Sequence, residues 1–181
     1  LHVCFQPKIS LRDGRLTGAE ALLRWTREDG QAIGPDVFIP IAEQSNLIVP
    51  LTVWTLNTAM RACGELLDRD PGFSVAVNLS PTALSDPDIF PLIAQAVGIW
   101  CAERSQLVLE ITETALFKDP TTAVRTLDEL HGEGIRLSID DFGTGYSSLA
   151  QLARLNLAEL KIDRSFVSGV IHDPRSMQIV R

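Results

Sequence analysis

The 181-residue sequence has few cysteines and no long apolar run. Its three cysteines, Cys4, Cys63 and Cys101, lie far apart in apolar surroundings and form no Cys-x-x-Cys pair, which is typical of a reducing compartment and predicts a cytoplasmic location. The longest apolar stretch, residues 89–100, is interrupted by Gln95 and is shorter than the roughly 20 residues that a membrane span requires. No signal peptide is visible. The segment is therefore expected not to insert into a membrane, although other domains of the protein could anchor it.

Basic clusters are also missing. Lys and Arg number 16 against 23 Asp and Glu, which gives a net charge of −7. Binding along a nucleic-acid polymer depends on many phosphate contacts by basic side chains, so that class of partner is not expected. A small anionic ligand held by metal ions stays possible. The 45% hydrophobic and 22% charged content is typical of a globular domain with one sizeable core.

The apolar pattern changes repeatedly between period two and period 3.6 and contains no linker, which predicts one domain over residues 1–181. The chain opens with a predicted hairpin, and from residue 50 strands alternate with helices. This alternation indicates an α/β fold with a mostly parallel sheet. The predicted strands are near residues 3–10, 16–25, 73–79, 107–112, 135–140 and 157–162, and the predicted helices are near residues 36–45, 50–69, 88–102, 120–131, 147–153 and from 164.

Polar residues occur at or near the carboxyl ends of five of these apolar strands. They are Glu20, Asn78, Glu110, Asp140 with Asp141, and Lys161. Any one of them alone is more simply a helix cap or a turn former. Five together favour a site, because strand ends converge on one face of a (β/α) barrel and its catalytic groups come from several strands.

Carboxylates brought this close repel one another unless a cation intervenes. The potential ligands are all oxygen atoms, and none of the three histidines lies beside these strand ends, so the pattern favours Mg²⁺ or Mn²⁺ over Zn²⁺. Asp140 and Asp141 are adjacent, so one can bridge two ions while the other binds only the second. A two-metal site of this kind suits phosphodiester hydrolysis.

Several neighbouring residues allow two interpretations. Lys161 and Asp163 have the parity of one strand face. Lys161 either reaches a metal-bound water or the phosphate, or it forms an ion pair with one of the carboxylates. Arg24 has the parity of Glu20 and suits either a phosphate or a salt bridge. The glycine-containing segment 141–148 allows close approach to a metal or substrate, or it is an ordinary βα loop. Its Asp-Phe-Gly sequence occurs without the other protein-kinase motifs, so a kinase is rejected.

At these residues the sequence resembles the EAL-domain family of cyclic-di-GMP phosphodiesterases along nearly its whole length. The shared motifs occur in family order. They are Gln6-Pro7, Glu20-Ala21-Leu22 with Arg24-Trp25, Phe38-Ile39 with Ala42-Glu43, Asn78-Leu79-Ser80, Glu110-Ile111-Thr112-Glu113, residues 140–149 and Lys161-Ile162-Asp163.

The resemblance implies a modified TIM (β/α)8 barrel with an antiparallel first strand, which hydrolyses cyclic-di-GMP to linear pGpG with Mg²⁺ or Mn²⁺. By this resemblance, Glu20, Asn78, Glu110 and Asp140 bind the first metal, and Asp140 with Asp141 the second. Lys161 positions water, and Glu113 braces the loop 141–148, which couples metal binding to dimerisation. Gln6, Leu22 and Arg24 contact the substrate.

The sequence departs from the family at its ends. A TIM barrel typically takes about 250 residues, and after Asp163 no counterpart appears of the family's general-base glutamate, of a later substrate-binding glutamine or of the last two strand-helix units. The helix before the first strand is also absent. The expectation is an EAL domain represented through its sixth strand, either because the chain continues or because a truncated form exists with exposed strand edges.

The same resemblance predicts a homodimer and fusion to sensor or GGDEF domains.

The alternative to a phosphodiesterase is a non-catalytic receptor that binds cyclic-di-GMP or a protein partner. The complete metal set argues against a receptor, and the missing base argues for one if the truncation is real. A different TIM-barrel metal hydrolase would require the order of the motifs to be coincidental.

Overall fold

A computed structural model describes residues 1–100, 103–112, 120–143, 155–171 and 177–178. Its strands are β1 (His2–Ile9), β2 (Leu16–Thr26), β3 (Ala32–Ile33), β4 (Ser74–Asn78), β5 (Leu107–Thr112), β6 (Arg136–Phe142) and β7 (Glu159–Ile162). Its helices are α1 (Pro35–Gln44), α2 (Ile48–Ala62), α3 (Gly64–Arg69), α4 (Pro81–Leu84), α5 (Ile89–Trp100), α6 (Pro120–Gly132) and α7 (Arg164–Gly169), with a 3₁₀ turn at Arg104–Gln106.

The strands form one sheet in the order β1-β2-β4-β5-β6-β7, and the short β3 pairs with β2. β1 and β2 are antiparallel, joined by a turn in which Gly14 has a φ of 71°. A positive φ is easily adopted by glycine, so this residue permits the turn. The pairs β2–β4, β4–β5, β5–β6 and β6–β7 are all parallel, and the short β3 is antiparallel to β2. The predicted α/β fold with an antiparallel first strand is thereby confirmed.

The apolar core lies between the sheet and the helices that cover it. β5 is buried over its first five residues, and Leu56 and Met60 of α2, Ile93 of α5 and Leu127 of α6 are inaccessible or nearly so. Both faces of a parallel sheet are normally covered, which is why the strands read as almost continuous apolar runs. None of the described helices is long and apolar enough to span a bilayer.

Several predicted features differ from the structure. The helix expected over residues 50–69 is interrupted at Cys63, because α2 ends there and α3 begins at Gly64. β3 was not predicted, since two residues are too few to show a period. The short helix expected at 147–153 lies outside the described residues.

Two residue environments also correct the sequence interpretation. Cys4 is exposed on β1 rather than surrounded by apolar residues, whereas Cys63 is buried. Asp163 does not share a strand face with Lys161, because β7 ends at Ile162. Asp163 instead caps α7, and its carboxylate accepts a hydrogen bond from the backbone N–H of Ser165. Cys101 lies outside the described residues.

Candidate functional site

The sheet register brings the polar strand residues to one level. Glu20 pairs with Ala76, two residues before Asn78 at the end of β4. Asn78 pairs in turn with Glu110. Asp140 pairs with Thr112, two residues beyond Glu110. Side chains two residues apart point to the same face of a strand, so the register gathers these groups on one face of the sheet.

The sequence pattern indicated that Glu20 is at or near the carboxyl end of its strand, but the structure places it inside β2. β2 continues to Thr26, and its last residues pair with β3. The parallel pairing of β2 with β4 nevertheless ends at Ala21. Glu20 therefore lies near the end of the segment of β2 that pairs in parallel with β4. The carboxyl end of β2 pairs with β3 instead.

The Lys161 ammonium lies at the centre of the site. Its Nζ donates hydrogen bonds to Glu20 Oε2 at 2.9 Å, Glu110 Oε2 at 2.7 Å and Asp140 Oδ2 at 3.0 Å. Asn78 adds a hydrogen bond from its Nδ2 to Glu20 Oε1 at 3.0 Å. Of the two interpretations of Lys161, the ion pair is the one that the structure contains, and it involves three carboxylates at once.

The acids of this cluster differ in burial and therefore in the direction of their pKa shifts. The Glu110 side chain is fully buried, and burial raises the pKa of Glu110 to about 7 although Lys161 opposes the shift. Partial burial also pushes the pKa of Glu20 upward, but hydrogen bonds from Lys161 and Asn78 outweigh it and leave that pKa below its ordinary value. Burial acts to lower the pKa of Lys161, yet its carboxylate partners raise it overall. Lys161 is therefore a firmly protonated counter-ion.

Asp141 lies at an irregularity of the sheet. The pairing of β6 with β7 shifts register between Ile139 and Phe142, and Asp141 has a φ of 54°. Its backbone N–H donates to Asp140 Oδ1 at 2.9 Å. Partial burial raises the pKa of Asp141, helped by the negative charges of Asp140 and Asp163. Bulges of this kind are common beside active sites, where they redirect a side chain.

The cluster could hold a metal ion. Glu20, Glu110 and Asp140 each offer a carboxylate oxygen, and these three atoms lie within 4.8 Å of one another. Glu110 Oε1 is buried and has no hydrogen-bond partner among the described residues, so the site contains an unsatisfied acceptor. Three carboxylates and one ammonium leave a formal charge of −2. An oxygen-only donor set with this charge suits a hard divalent cation.

A cavity of about 440 Å³ opens beside the carboxylates. Leu22 and Arg24 line it together with Glu20, Asn78, Glu110 and Asp140. The Arg24 guanidinium donates to the Leu23 carbonyl oxygen at 2.9 Å. Gln6 is exposed on β1 and pairs with Glu20 in the hairpin. Ile39 and Glu43 of α1 and Leu51, Thr52 and Thr55 of α2 form the opposite wall. Sequence analysis identified Ile39 and Glu43 only as motif residues and missed the three residues of α2.

A second charged group lies next to the site and was also missed. Lys8 Nζ is 2.5 Å from Glu159 Oε2 and 3.9 Å from Glu110 Oε1. Arg136 donates from Nη2 to Glu159 Oε1 at 3.2 Å. Strand parity was the available signal, because Glu159 is two residues before Lys161, and Arg136 is four before Asp140.

Glu113 and residues 144–150 fall outside the described residues. The bracing role of Glu113 and the properties of the loop 141–148 accordingly remain predictions.

Comparison with known proteins agrees with this geometry. The family model of the EAL domain matches residues 1–181. MucR of Pseudomonas aeruginosa, a bifunctional diguanylate cyclase/cyclic di-GMP phosphodiesterase, is 39% identical over 177 residues, covering 97% of this chain and 26% of MucR. The probable cyclic di-GMP phosphodiesterase PdeB of Escherichia coli K12 is 38% identical over 168 residues, covering 93% of this chain and 32% of PdeB.

The fold has solved counterparts as well. The MucR phosphodiesterase in complex with c-di-GMP superposes with a TM-score of 0.90 at 38% identity, covering 99% of this chain and 73% of that one. The likeness confirms the predicted TIM-barrel-like α/β fold of the EAL type. The chain spans about a quarter of the length of the first curated relatives that it matches. From the full-length match to the family model and these relatives, the chain belongs to the EAL domain family.

Proposed function

We propose that this chain forms a phosphodiesterase domain that hydrolyses cyclic-di-GMP to linear pGpG with the help of Mg²⁺ or Mn²⁺. The observation that carries the proposal is the convergence of Glu20, Glu110 and Asp140 beside a cavity. Relatives named as cyclic di-GMP phosphodiesterases support the substrate class.

Five residues would hold the cations. Glu20, Asn78, Glu110 and Asp140 are proposed for the first, and Asp140 with Asp141 for the second. The buried Glu110 Oε1, which accepts no hydrogen bond from the described residues, and the all-oxygen donor set fit this role. When bound, divalent cations at this position supply charge for the phosphoryl oxygens and lower the pKa of water.

Lys161 serves the reaction as a fixed positive charge. Its raised pKa keeps the ammonium protonated at neutral pH, so it acts on water or phosphate as a positive charge rather than as a base. The three carboxylates orient its Nζ. Glu113 is proposed to brace the loop 141–148.

Substrate recognition is proposed to use the cavity and the β1–β2 hairpin. Arg24 offers a guanidinium to a phosphate, Leu22 offers an apolar contact, and Gln6 lies beside Glu20 in the hairpin register. Arg24 is suited to this task because its planar fork matches two phosphate oxygens. We further infer a homodimer, additional sensor or GGDEF domains in the intact protein, and a cytoplasmic site of action.

A non-catalytic cyclic-di-GMP receptor is the second candidate. One observation favours it, since Lys161 already bonds to all three carboxylates and partly neutralises them without a metal. A receptor would bind the dinucleotide tightly and leave it intact.

The decisive experiment incubates the intact protein with cyclic-di-GMP and Mn²⁺ and follows pGpG by chromatography. Turnover by the parent protein and none by Asp140→Asn would support the phosphodiesterase. The matched control is Asp70→Asn, which changes an exposed carboxylate that pairs with Arg15 and should leave turnover unchanged. Binding without turnover would favour the receptor, and neither binding nor turnover would refute both.

A further inference from the structure

An ion-pair network lies beside the carboxylate cluster, on the strands that carry it. Lys8 of β1 contacts Glu159 of β7, and Arg136 of β6 contacts the other oxygen of Glu159. The Lys8 and Glu159 side chains are each 26% exposed. TIM-barrel interiors are usually filled by branched apolar side chains, so charged residues here call for a physical explanation.

Lys8 has two acceptors within reach. Its ammonium is 2.5 Å from Glu159 Oε2 and 3.9 Å from Glu110 Oε1. The Glu110 oxygen is buried and accepts no hydrogen bond from the described residues. A buried carboxylate oxygen that accepts no hydrogen bond attracts a nearby ammonium strongly, so Lys8 would move from its 3.9 Å separation into hydrogen-bond contact with Glu110 if Glu159 did not hold it.

We propose that Glu159 is a positioning residue, which holds Lys8 away from Glu110 and so leaves Glu110 Oε1 available to a divalent cation. Arg136 holds the second oxygen of Glu159 at 3.2 Å and fixes the carboxylate in that orientation. This inference rests on the metal site of the proposed function, because it assigns Glu110 to a cation.

The consequence is a competition between Lys8 and the cation for one oxygen atom. Without the Glu159 carboxylate, the Lys8 ammonium pairs with Glu110, and a divalent cation has to displace it. Partners that orient metal ligands are typically worth about 10-fold to 100-fold in metal affinity. Glu159→Gln should therefore weaken Mn²⁺ binding by at least about tenfold.

The test measures the Mn²⁺ dissociation constant of the intact protein by isothermal titration calorimetry, with electron paramagnetic resonance counting the free ion. Two double variants separate competition from a simple change in net charge. Glu159→Gln with Lys8→Met removes the competitor, and we expect affinity to return to within about threefold of the parent value. Glu159→Gln with Arg136→Met has the same net charge but retains Lys8, and we expect its affinity to stay low.

Parent-like affinity in Glu159→Gln would overturn the inference, as would equal affinities in the two double variants. Glu159→Asp retains the charge and should bind Mn²⁺ like the parent, and weak binding by this variant would also contradict the proposal. Failure of the parent itself to bind Mn²⁺ would refute the metal site and this inference together. Binding by the parent with no effect of Glu159→Gln would refute this inference alone.

Discussion

Glu110 has the most unusual environment of any acid in the described part of the chain. Its side chain is fully buried on the central strand β5, and its pKa rises to about 7 because burial disfavours the charged form. Lys161 reduces that cost through one oxygen, and the other oxygen accepts no hydrogen bond from the part of the chain that the structure describes. A buried carboxylate oxygen without a hydrogen bond destabilises the fold, and a bound divalent cation would relieve that cost.

At the residue scale, Lys161→Met should destabilise the metal-free protein by about 3 kcal/mol, because removing one partner of a buried ion pair leaves uncompensated charge. Urea unfolding in EDTA measures the loss. Mn²⁺ should then raise the melting temperature of this variant more than that of the parent, since a cation replaces the missing ammonium.

The control is Arg69→Met, which breaks an exposed pair with Glu65. Exposed pairs typically contribute less than about 1 kcal/mol. An equal loss of unfolding free energy in the two variants would show that the contact of Lys161 with three carboxylates stabilises the fold no more than an exposed ion pair does.

Cys63 gives a pH prediction. Burial raises the pKa of its thiol, so the folded state retains a proton that the unfolded state releases. The stability linked to Cys63 is therefore present below pH 9.0, the ordinary value of the thiol, and is lost as the pH rises through the folded-state pKa. Because the thiolate is the nucleophile, iodoacetamide at pH 8 should modify the exposed Cys4 much faster than Cys63. Peptide mass spectrometry measures both rates, and equal rates would contradict the assigned burial.

At the scale of elements, the pairing of β2 with β4 determines where Glu20 lies. Gly18 and Ser74 are partners in this ladder, and a Cβ on Gly18 would lie 2.4 Å from the Ser74 carbonyl oxygen. Glycine is therefore required at Gly18 by the close approach of two backbones, two residues before the first carboxylate.

Gly18→Ala should destabilise the protein by about 1–3 kcal/mol through this overlap. It should also weaken Mn²⁺ binding, because the register that sets Glu20 opposite Ala76 has to shift. Denaturant unfolding and a Mn²⁺ titration measure the two effects.

Gly98 supplies the matched control. It lies on α5 with nothing within 4 Å of an added Cβ. Alanine in a helix is more favourable than glycine by about 0.5–1 kcal/mol, so Gly98→Ala should stabilise the fold and leave metal binding unchanged. Destabilisation by both substitutions would indicate that the overlap at Ser74 is not the cause.

At the scale of the whole molecule, one site joins strands that are far apart in sequence. Lys161 bonds to Glu20 across 141 residues of chain and to Glu110 across 51. β1 and β7 are the ends of the strand order of the described sheet, and the Lys8 and Glu159 side chains connect them. A ligand at the proposed site would therefore stabilise the sheet as a unit.

Mn²⁺ should raise the melting temperature of the parent protein in a concentration-dependent manner, since a ligand that binds only the folded state stabilises it. A free Mn²⁺ concentration of 100 times the dissociation constant should increase the free energy of unfolding by about 2.7 kcal/mol. Differential scanning fluorimetry over a range of MnCl₂ measures the shift. Asp140→Asn should reduce it, and no shift in the parent at millimolar Mn²⁺ would contradict a metal site at these carboxylates.

The sequence alone determined the element types and the polar strand positions. Apolar runs predict β4, β5 and β6 because one or both faces of each strand are buried, and a polar residue at or near the end of such a run is visible as an interruption. The order of the EAL motifs then predicts the family. In the structure Lys161 contacts Glu20, Glu110 and Asp140, and Asn78 contacts Glu20.

Only the tertiary structure decided which partner each polar group has. Register and sheet order bring Lys161 to Glu20 and Lys8 to Glu159, although each pair is more than a hundred positions apart in the sequence. They also leave Glu110 Oε1 without a hydrogen bond from the described residues. Period and composition carry no information about such distances. The cavity wall from α1 and α2 and the backbone contact at Gly18 arise in the same way, from the packing of elements that the sequence identifies only singly.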